Sequence, residues 1–212
     1  SNELFDCLPT DIIKHVPGGY QQAYINKDFK MDWKEFDFES ELSFIDLDLP
    51  KDLPYNYVFE YSHAQKDIIN EISEFLHRAY FLIFDYGYTS SELYLKDRSL
   101  GTITCIKNHI MDFNPLSDIG TKDLSAFVNF TYLKNILCRN HWEIVAFLSQ
   151  ANYLINFNIL NDINVNDIDE LNAVKKLIMP NHMGELFKVL IIKKNMNETD
   201  KNYFVKNDII KL

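Results

Sequence analysis

The densest apolar block in the chain is Tyr80-Phe81-Leu82-Ile83-Phe84, and it stops at Asp85-Tyr86-Gly87. Consecutive apolar and aromatic residues without polar alternation predict a strand covered on both faces, as in a parallel sheet. Ligands of open α/β sheets sit beyond the carboxyl ends of the strands, which places Asp85, Tyr86 and the segment after them where chemistry is expected. The same letters also fit a plain turn capped by Asp85 and permitted by Gly87.

Short apolar runs at Ile144–Leu148 and Leu186–Ile192 predict two further buried strands. Directly ahead of Tyr80, helical spacing predicts an amphipathic helix over Ser62–Ala79, with Ile68, Ile69, Ile72, Phe75 and Leu76 on one face. Asp123 is expected to cap a helix reaching Cys138, because a carboxylate there satisfies free backbone N–H groups and complements the helix dipole. Gln150–Phe157 and Asp167–Ile178 also read as helices, the second with Asp167 as its cap and Lys175 and Lys176 near its end. On the amino-terminal side, Tyr20–Ile25 follows a Pro17-Gly18-Gly19 turn and 32–38 alternates acids with aromatics, which predicts a hairpin-like, β-rich piece. A polar connector spans 46–54, a polar loop is expected over 86–100, and Gly101–Ile106 reads as a short extended piece. Strands alternating with helices indicate the α/β class, with only about three strong sheet strands.

A length of 212 residues allows one large or two small domains with a substantial core. Hydrophobic residues make up 47% of the chain, which excludes disorder for most of it. The formal net charge of −10 disfavours a phosphate-tracking nucleic-acid binder and tolerates a basic protein or peptide partner. Cys7, Cys105 and Cys138 lack the spacing of a zinc site or a disulfide framework, so a reducing compartment fits, and the remaining histidines have no metal-site spacing. No run approaches the roughly 20 apolar residues of a membrane span, and no leader pattern is visible. The glycines are scattered with no G-x-G, so no strand-to-helix turn of the cofactor-holding kind is seen, and no G-x-S-x-G elbow of an α/β hydrolase exists.

Taken in order, NELFDCLP at Asn2–Pro9, FDYG at Phe84–Gly87, DLSAFVNF at Asp123–Phe130 and MGELFKVL at Met183–Leu190 resemble blocks of the MidA-like methyltransferases, a family that includes the mitochondrial arginine methyltransferase of respiratory complex I assembly. NELFDCLP at Asn2–Pro9 resembles the family's NEFFDALP, and FDYG at Phe84–Gly87 resembles IDYG. Gly101-Thr102 and His109 resemble GTLxxYxxH, and DLSAFVNF at Asp123–Phe130 resembles DLTAHVDF. Ser149-Gln150 resembles TQ, and MGELFKVL at Met183–Leu190 resembles MGxxFKVL. The order and spacing of the blocks run through nearly the whole chain. Phe127 stands where the family has His, Asn129 where it has Asp, and Gln21-Gln22 where an Arg-Glu pair is common.

The resemblance implies the carboxyl-terminal part of a Rossmann-like class I fold, beginning just after its fourth strand, with a β-rich insertion near the amino terminus. The expected division is 1–61 for that loop and insertion, 62–194 for the α/β part and 195–212 for a polar tail. It implies S-adenosylmethionine as methyl donor, bound mainly by a segment missing from this chain, so that the chain alone is expected to be inactive or very weak. Protein arginine is the implied substrate, with a complex I subunit among the candidate partners, in the cytoplasm of a bacterium or the mitochondrial matrix of a eukaryote. Glu3 and Asp6 are the candidate catalytic residues, since a carboxylate holds a guanidinium by paired hydrogen bonds and aims its nitrogen. Asn2, Asp85, Tyr86, His109 and Gln150 are the candidate substrate-binding residues. The competing expectation is a non-catalytic interaction module or decayed fragment, in which an apolar sheet edge beside Tyr80 pairs with a missing amino-terminal half or a second copy.

Overall fold

The structure, a computed structural model, describes residues 1–37, 47–108, 110–161, 163–164, 166–197, 204 and 207–212. Its amino-terminal part is an antiparallel sheet of β1 (Asp11–Val16), β2 (Gly19–Ile25), β3 (Met31–Phe36) and β4 (Val58–Tyr61), in the order β3-β2-β1-β4. The expected turn at Pro17-Gly18-Gly19 joins β1 to β2, with Gly18 at φ +89°, a conformation that favours glycine. At the other end of the hairpin, Asn26 Oδ1 accepts from the N–H groups of Asp28 and Lys30 and closes the loop into β3.

Helix α1 (His63–Phe75) starts where the sequence predicts, because Ser62 Oγ accepts from Gln65 N–H while its own proton goes to the Pro9 carbonyl. Its inward stripe differs from the expected one. Gln65, Ile69 and Ser73 are buried, whereas Phe75 is 73% exposed. The helix ends at Phe75, and Ser73 takes the inward position because its hydroxyl accepts from the Trp142 indole at 2.8 Å.

The central sheet contains β5 (Ala79–Tyr88), β9 (Val128–Asn129), β10 (Glu143–Ser149) and β11 (Phe187–Lys194), in the order β10-β11-β5-β9. β5 is longer than expected, and Asp85, Tyr86 and Gly87 lie within it rather than in a loop after it. Its long partner is the antiparallel β11, paired from Phe187↔Tyr86 to Lys194↔Ala79, which corrects the expectation of purely parallel neighbours. The other edge of β5 is parallel: it bridges Asn2 at Phe84 and then β9 at Gly87 and Tyr88. Gly87 is required by this pairing, since a Cβ there would lie 2.0 Å from the Val128 carbonyl oxygen.

After α2 (Ser90–Leu93), a small antiparallel sheet forms from β6 (Thr104–Lys107), β7 (Ile110–Asp112) and β8 (Asp123–Ser125). Asp123 therefore begins a strand and does not cap a helix. Helix α3 (Phe130–Arg139) starts later, capped by Asn129, whose Oδ1 accepts from Tyr132 N–H at 3.0 Å. The helices α4 (Gln150–Asn156) and α5 (Ile168–Ile178) match the expected ones, and α5 carries the Asp167 cap. A short α6 (Met183–Leu186) leads into β11.

The core lies on both faces of the central sheet. Ile83, Phe147, Leu190 and Ile192 join one buried cluster with Ile69, Leu133 and Trp142, while Val145, Leu148, Val189 and Ile191 form a second. No helix among the described residues is long and apolar enough to cross a membrane. Replacing Gly87 by Ala is expected to lower the unfolding free energy by about 1–3 kcal/mol, because backbone rather than a flexible side chain blocks the added methyl. Urea denaturation measures this, and an unchanged midpoint would contradict the close pairing of β5 with β9.

Candidate active site

β5 carries Asp85 into the molecule at 0% exposure, and the peptide from Glu3 to Asp6 wraps around its carboxylate. The N–H groups of Leu4 and Phe5 donate to Oδ2 at 3.2 and 2.9 Å, and that of Tyr86 donates to Oδ1 at 3.0 Å. Phe5 is itself wholly buried, and its carbonyl accepts from the Gln65 amide at 2.9 Å. Glu3 stands at φ +48°, the left-handed region that a non-glycine residue rarely occupies, which lets the chain leave the edge of β5 and turn over Asp85. Glu3 N–H still donates to the Phe84 carbonyl at 2.9 Å, so the turn begins directly from the strand-like pairing.

Three side chains converge on this turn. The Tyr86 hydroxyl donates to Glu3 Oε2 at 3.0 Å, and the Asn2 amide donates to Glu3 Oε1 at 3.3 Å. Asp6 is 5% exposed; its Oδ2 accepts from the Ser125 hydroxyl at 2.9 Å, while its buried Oδ1 has no hydrogen-bond partner among the described residues. A buried carboxylate oxygen without a donor is costly, and a cationic N–H ligand would satisfy it. The Tyr86 ring is held edge-on against Phe187, with centroids 4.6 Å apart.

The electrostatics follow from this crowding. Burial, then the charge of Asp6, pushes the Asp85 carboxyl up to about 7, against the pull of the N–H groups it accepts from. Burial, then the negative charges of Asp6 and Glu3, raises the Tyr86 phenol, so it stays protonated as a donor.

Of the residues expected from sequence, Asn2, Glu3, Asp6 and Tyr86 come together at the carboxyl end of β5. Asp85 lies beneath them, its oxygens directed to backbone N–H groups. Gln150 begins α4 at the same edge of the sheet but two strands away, as the register Ser149↔Lys188↔Asp85 shows. Its amide donates to the Leu177 carbonyl at 3.0 Å and so ties α4 to the end of α5. His109 lies outside the described residues.

Other site-shaping residues carried no local signal. Ser125 reaches Asp6 from β8, 119 positions away in sequence. Glu60 accepts from the N–H and hydroxyl of Thr102 at 2.6 and 3.0 Å, and Thr102 Oγ1 accepts from Phe127 N–H at 3.0 Å. Burial raises the Glu60 carboxyl despite the Thr102 bonds. Gly101, at φ +83°, permits this approach, since a Cβ would lie 2.3 Å from Glu60 Oε1. The Gly101-Thr102 pair thus fastens β4 to the segment before α3. Asn129 uses both ends of its amide: Oδ1 accepts from Ser90 Oγ as well as Tyr132 N–H, and Nδ2 donates to Tyr94 Oη and the Leu47 carbonyl. Phe127 packs on Tyr88, with ring centroids 5.5 Å apart.

Residues 1–148 match the family described as "Putative S-adenosyl-L-methionine-dependent methyltransferase". No curated protein is significantly similar to the chain. Among solved structures, it superimposes with a TM-score of 0.82 and 25% identity on a Burkholderia thailandensis protein described as a "likely methyl transferase", crystallised with S-adenosyl-homocysteine; 97% of this chain and 55% of that one are covered. The native crystal structure of an uncharacterized protein of the same superfamily and organism gives a TM-score of 0.84 at 25% identity, covering 97% of this chain and 57% of that one. The chain thus spans little more than half the length of these structures.

Because Asp85 holds a proton up to about pH 7 in the folded chain and only to its ordinary 3.8 when unfolded, its contribution to stability is full below about pH 4. That contribution falls as pH rises through 7. Asp85→Asn is expected to remove this fall and, by turning a donor toward backbone N–H groups, to cost about 1–3 kcal/mol at pH 5. Urea denaturation at pH 5 and 8 tests it; a variant that keeps the wild-type difference between the two pH values would contradict the assignment.

Proposed function

The chain belongs to this family of S-adenosyl-L-methionine-dependent methyltransferases, and we propose that it forms the acceptor side of a protein arginine N-methyltransferase. The observation that carries the reading is the cluster of Glu3, Asp6 and Tyr86 at the carboxyl end of β5, with one buried Asp6 oxygen lacking a donor among the described residues. A guanidinium fits two carboxylates in this arrangement, because its planar N–H fork pairs with their oxygens and fixes its plane. Glu3, the more exposed of the two, orients the reacting nitrogen and takes its proton on a carboxylate oxygen, while Asp6 neutralises the charge that remains. Tyr86 holds Glu3 in place through its hydroxyl. Asn2 supports Glu3 from the other oxygen. Gln150 and Asp85 act by positioning, the first through α5 and the second through the Glu3–Asp6 peptide.

When bound, S-adenosylmethionine supplies an electrophilic methyl group at this edge. Among the described residues, the glycines at positive φ are Gly18, Gly19, Gly101 and Gly120, and none opens a helix after a strand. The residues present therefore suit the acceptor and not the adenosine or carboxylate of the donor, which we assign to polypeptide outside them. The sheet supports the same assignment. Residues 1–3 run parallel to β5 on the side away from β11, as the last turnings of a neighbouring Rossmann strand would. In this reading 1–61 is the loop after the fourth strand with its β-rich insertion, and 62–194 is the carboxyl-terminal α/β part. By the family resemblance, the substrate belongs to respiratory complex I assembly, in the mitochondrial matrix of a eukaryote or the cytoplasm of a bacterium.

Isothermal titration of the 212-residue chain with S-adenosylmethionine is expected to show binding weaker than millimolar; micromolar binding would place the donor site within these residues. In the native polypeptide that contains them, Glu3→Gln is expected to slow methyl transfer to an arginine peptide by about 10²-fold or more. Donor affinity should stay unchanged, and a Glu3→Gln enzyme of wild-type rate sinks the assignment.

A further inference from the structure

Asp6 also lines a groove of about 490 Å³, a volume typical of ligand sites. Its floor is the peptide from Asp6 to Ile12 together with Ser125 and Ala126. One wall comes from the β2–β3 hairpin with Tyr24, Ile25 and Met31, and the other from the β7–β8 connection and β8 with Leu116, Ile119 and Leu124. Its walls are largely apolar, and several of their side chains face solvent: Ile25 is 62%, Ile119 52% and Leu124 49% exposed. Among the described residues, the carboxyl groups on its lining are Asp6 and Asp11, and no lysine or arginine lines it.

We propose that this groove docks an extended segment of the acceptor protein, which places a cationic side chain at Asp6 and bulky apolar side chains between the hairpin and the β7–β8 connection. The proposal rests on the reading of Glu3 and Asp6 as the acceptor site and adds to it the sequence flanking the methylated residue. Charge complementarity selects the occupant. The two acids on the lining, Asp6 and Asp11, favour positively charged N–H donors, and a chain of net charge −10 repels acidic partners. Apolar walls that lie open to solvent ask for apolar partners next to that cation. Asp6 lines the groove and ends the turn that begins at Glu3, so one extended peptide lying along it is directed toward both acids. Specificity then comes from two elements remote in sequence, a hairpin before β4 and a loop after β7, both outside the central sheet.

Fluorescence anisotropy with the 212-residue chain tests this, using a short fluorescein-labelled peptide with a central arginine flanked by leucine and phenylalanine. Three changes are each expected to weaken binding by about tenfold or more: serine in place of the flanking residues, citrulline in place of the arginine, and Ile25→Ser or Leu124→Ser in the wall. Ile168→Ser, an exposed apolar residue on α5, is the control and should leave binding unchanged. Equal affinity for the serine-flanked peptide overturns the proposal without relying on any variant of the protein. So does an apolar dye that fills the groove and is not displaced by the peptide, which would assign it to a small apolar ligand. Methyl transfer by the native polypeptide separates the two readings. Transfer that ignores the wall variants overturns the groove and keeps the enzyme, whereas groove-dependent peptide binding with no transfer upholds the groove and overturns the enzyme.

Discussion

The buried carboxylate of Asp85 decides where the amino-terminal peptide of this chain lies. Three backbone N–H groups converge on it, two of them from Leu4 and Phe5, so the turn between Glu3 and Asp6 is built around one buried carboxyl group in the sheet. Charge-assisted bonds of this kind are about twice as strong as neutral ones, and here they oppose a desolvation cost large enough to lift the carboxyl toward neutrality. That balance ties the position of the two candidate catalytic acids to the core. Phe5, pinned between the Asp85 contact and the Gln65 amide, transmits the register of the sheet to Glu3 on one side and Asp6 on the other.

Around this clamp, the peripheral sheets are fastened by polar contacts between residues distant in sequence. Glu60 of β4 holds Thr102, and Thr102 in turn holds the backbone of Phe127 just before β9. Ser62 links the start of α1 to Pro9, and Ser125 of β8 links to Asp6. These bonds set the spacing of the hairpin and the small β6–β8 sheet, whose separation is the groove. The family's aspartate position, occupied by Asn129, is part of the same scaffold. Its amide both caps α3 and donates to the Tyr94 hydroxyl and the Leu47 carbonyl, and a carboxylate has no N–H with which to donate to that carbonyl.

Much of this architecture was legible in the sequence where a local pattern carried it. The apolar runs at Ile144–Leu148 and Leu186–Ile192, the Pro17-Gly18-Gly19 turn and the Asp167 cap all appear where periodicity and turn chemistry place them. Local pattern misleads where the deciding partner is far away in sequence. Asp85-Tyr86-Gly87 has the letters of a turn, yet it continues a strand because Asp85 finds its partners about 80 positions earlier and Gly87 makes room for Val128. Asp123 is a good helix cap by type, but Leu124, Ala126 and Val128 repeat with the strand period of two, a signal that favoured extended chain up to Asn129. The grouping of Glu3 with Asp6 was visible from their nearness in the chain, whereas the donor-free state of Asp6 Oδ1 and the groove beside it depend on β8 and the β2–β3 hairpin.

The most direct measurement is a crystal structure of the native polypeptide with S-adenosyl-homocysteine and an arginine peptide. The predicted result is a guanidinium seated between Glu3 and Asp6, with its nitrogens about 3 Å from the carboxylate oxygens, including Asp6 Oδ1. A guanidinium bound elsewhere, with Glu3 and Asp6 still facing only Tyr86, Asn2 and Ser125, would contradict the assignment of this turn as the acceptor site.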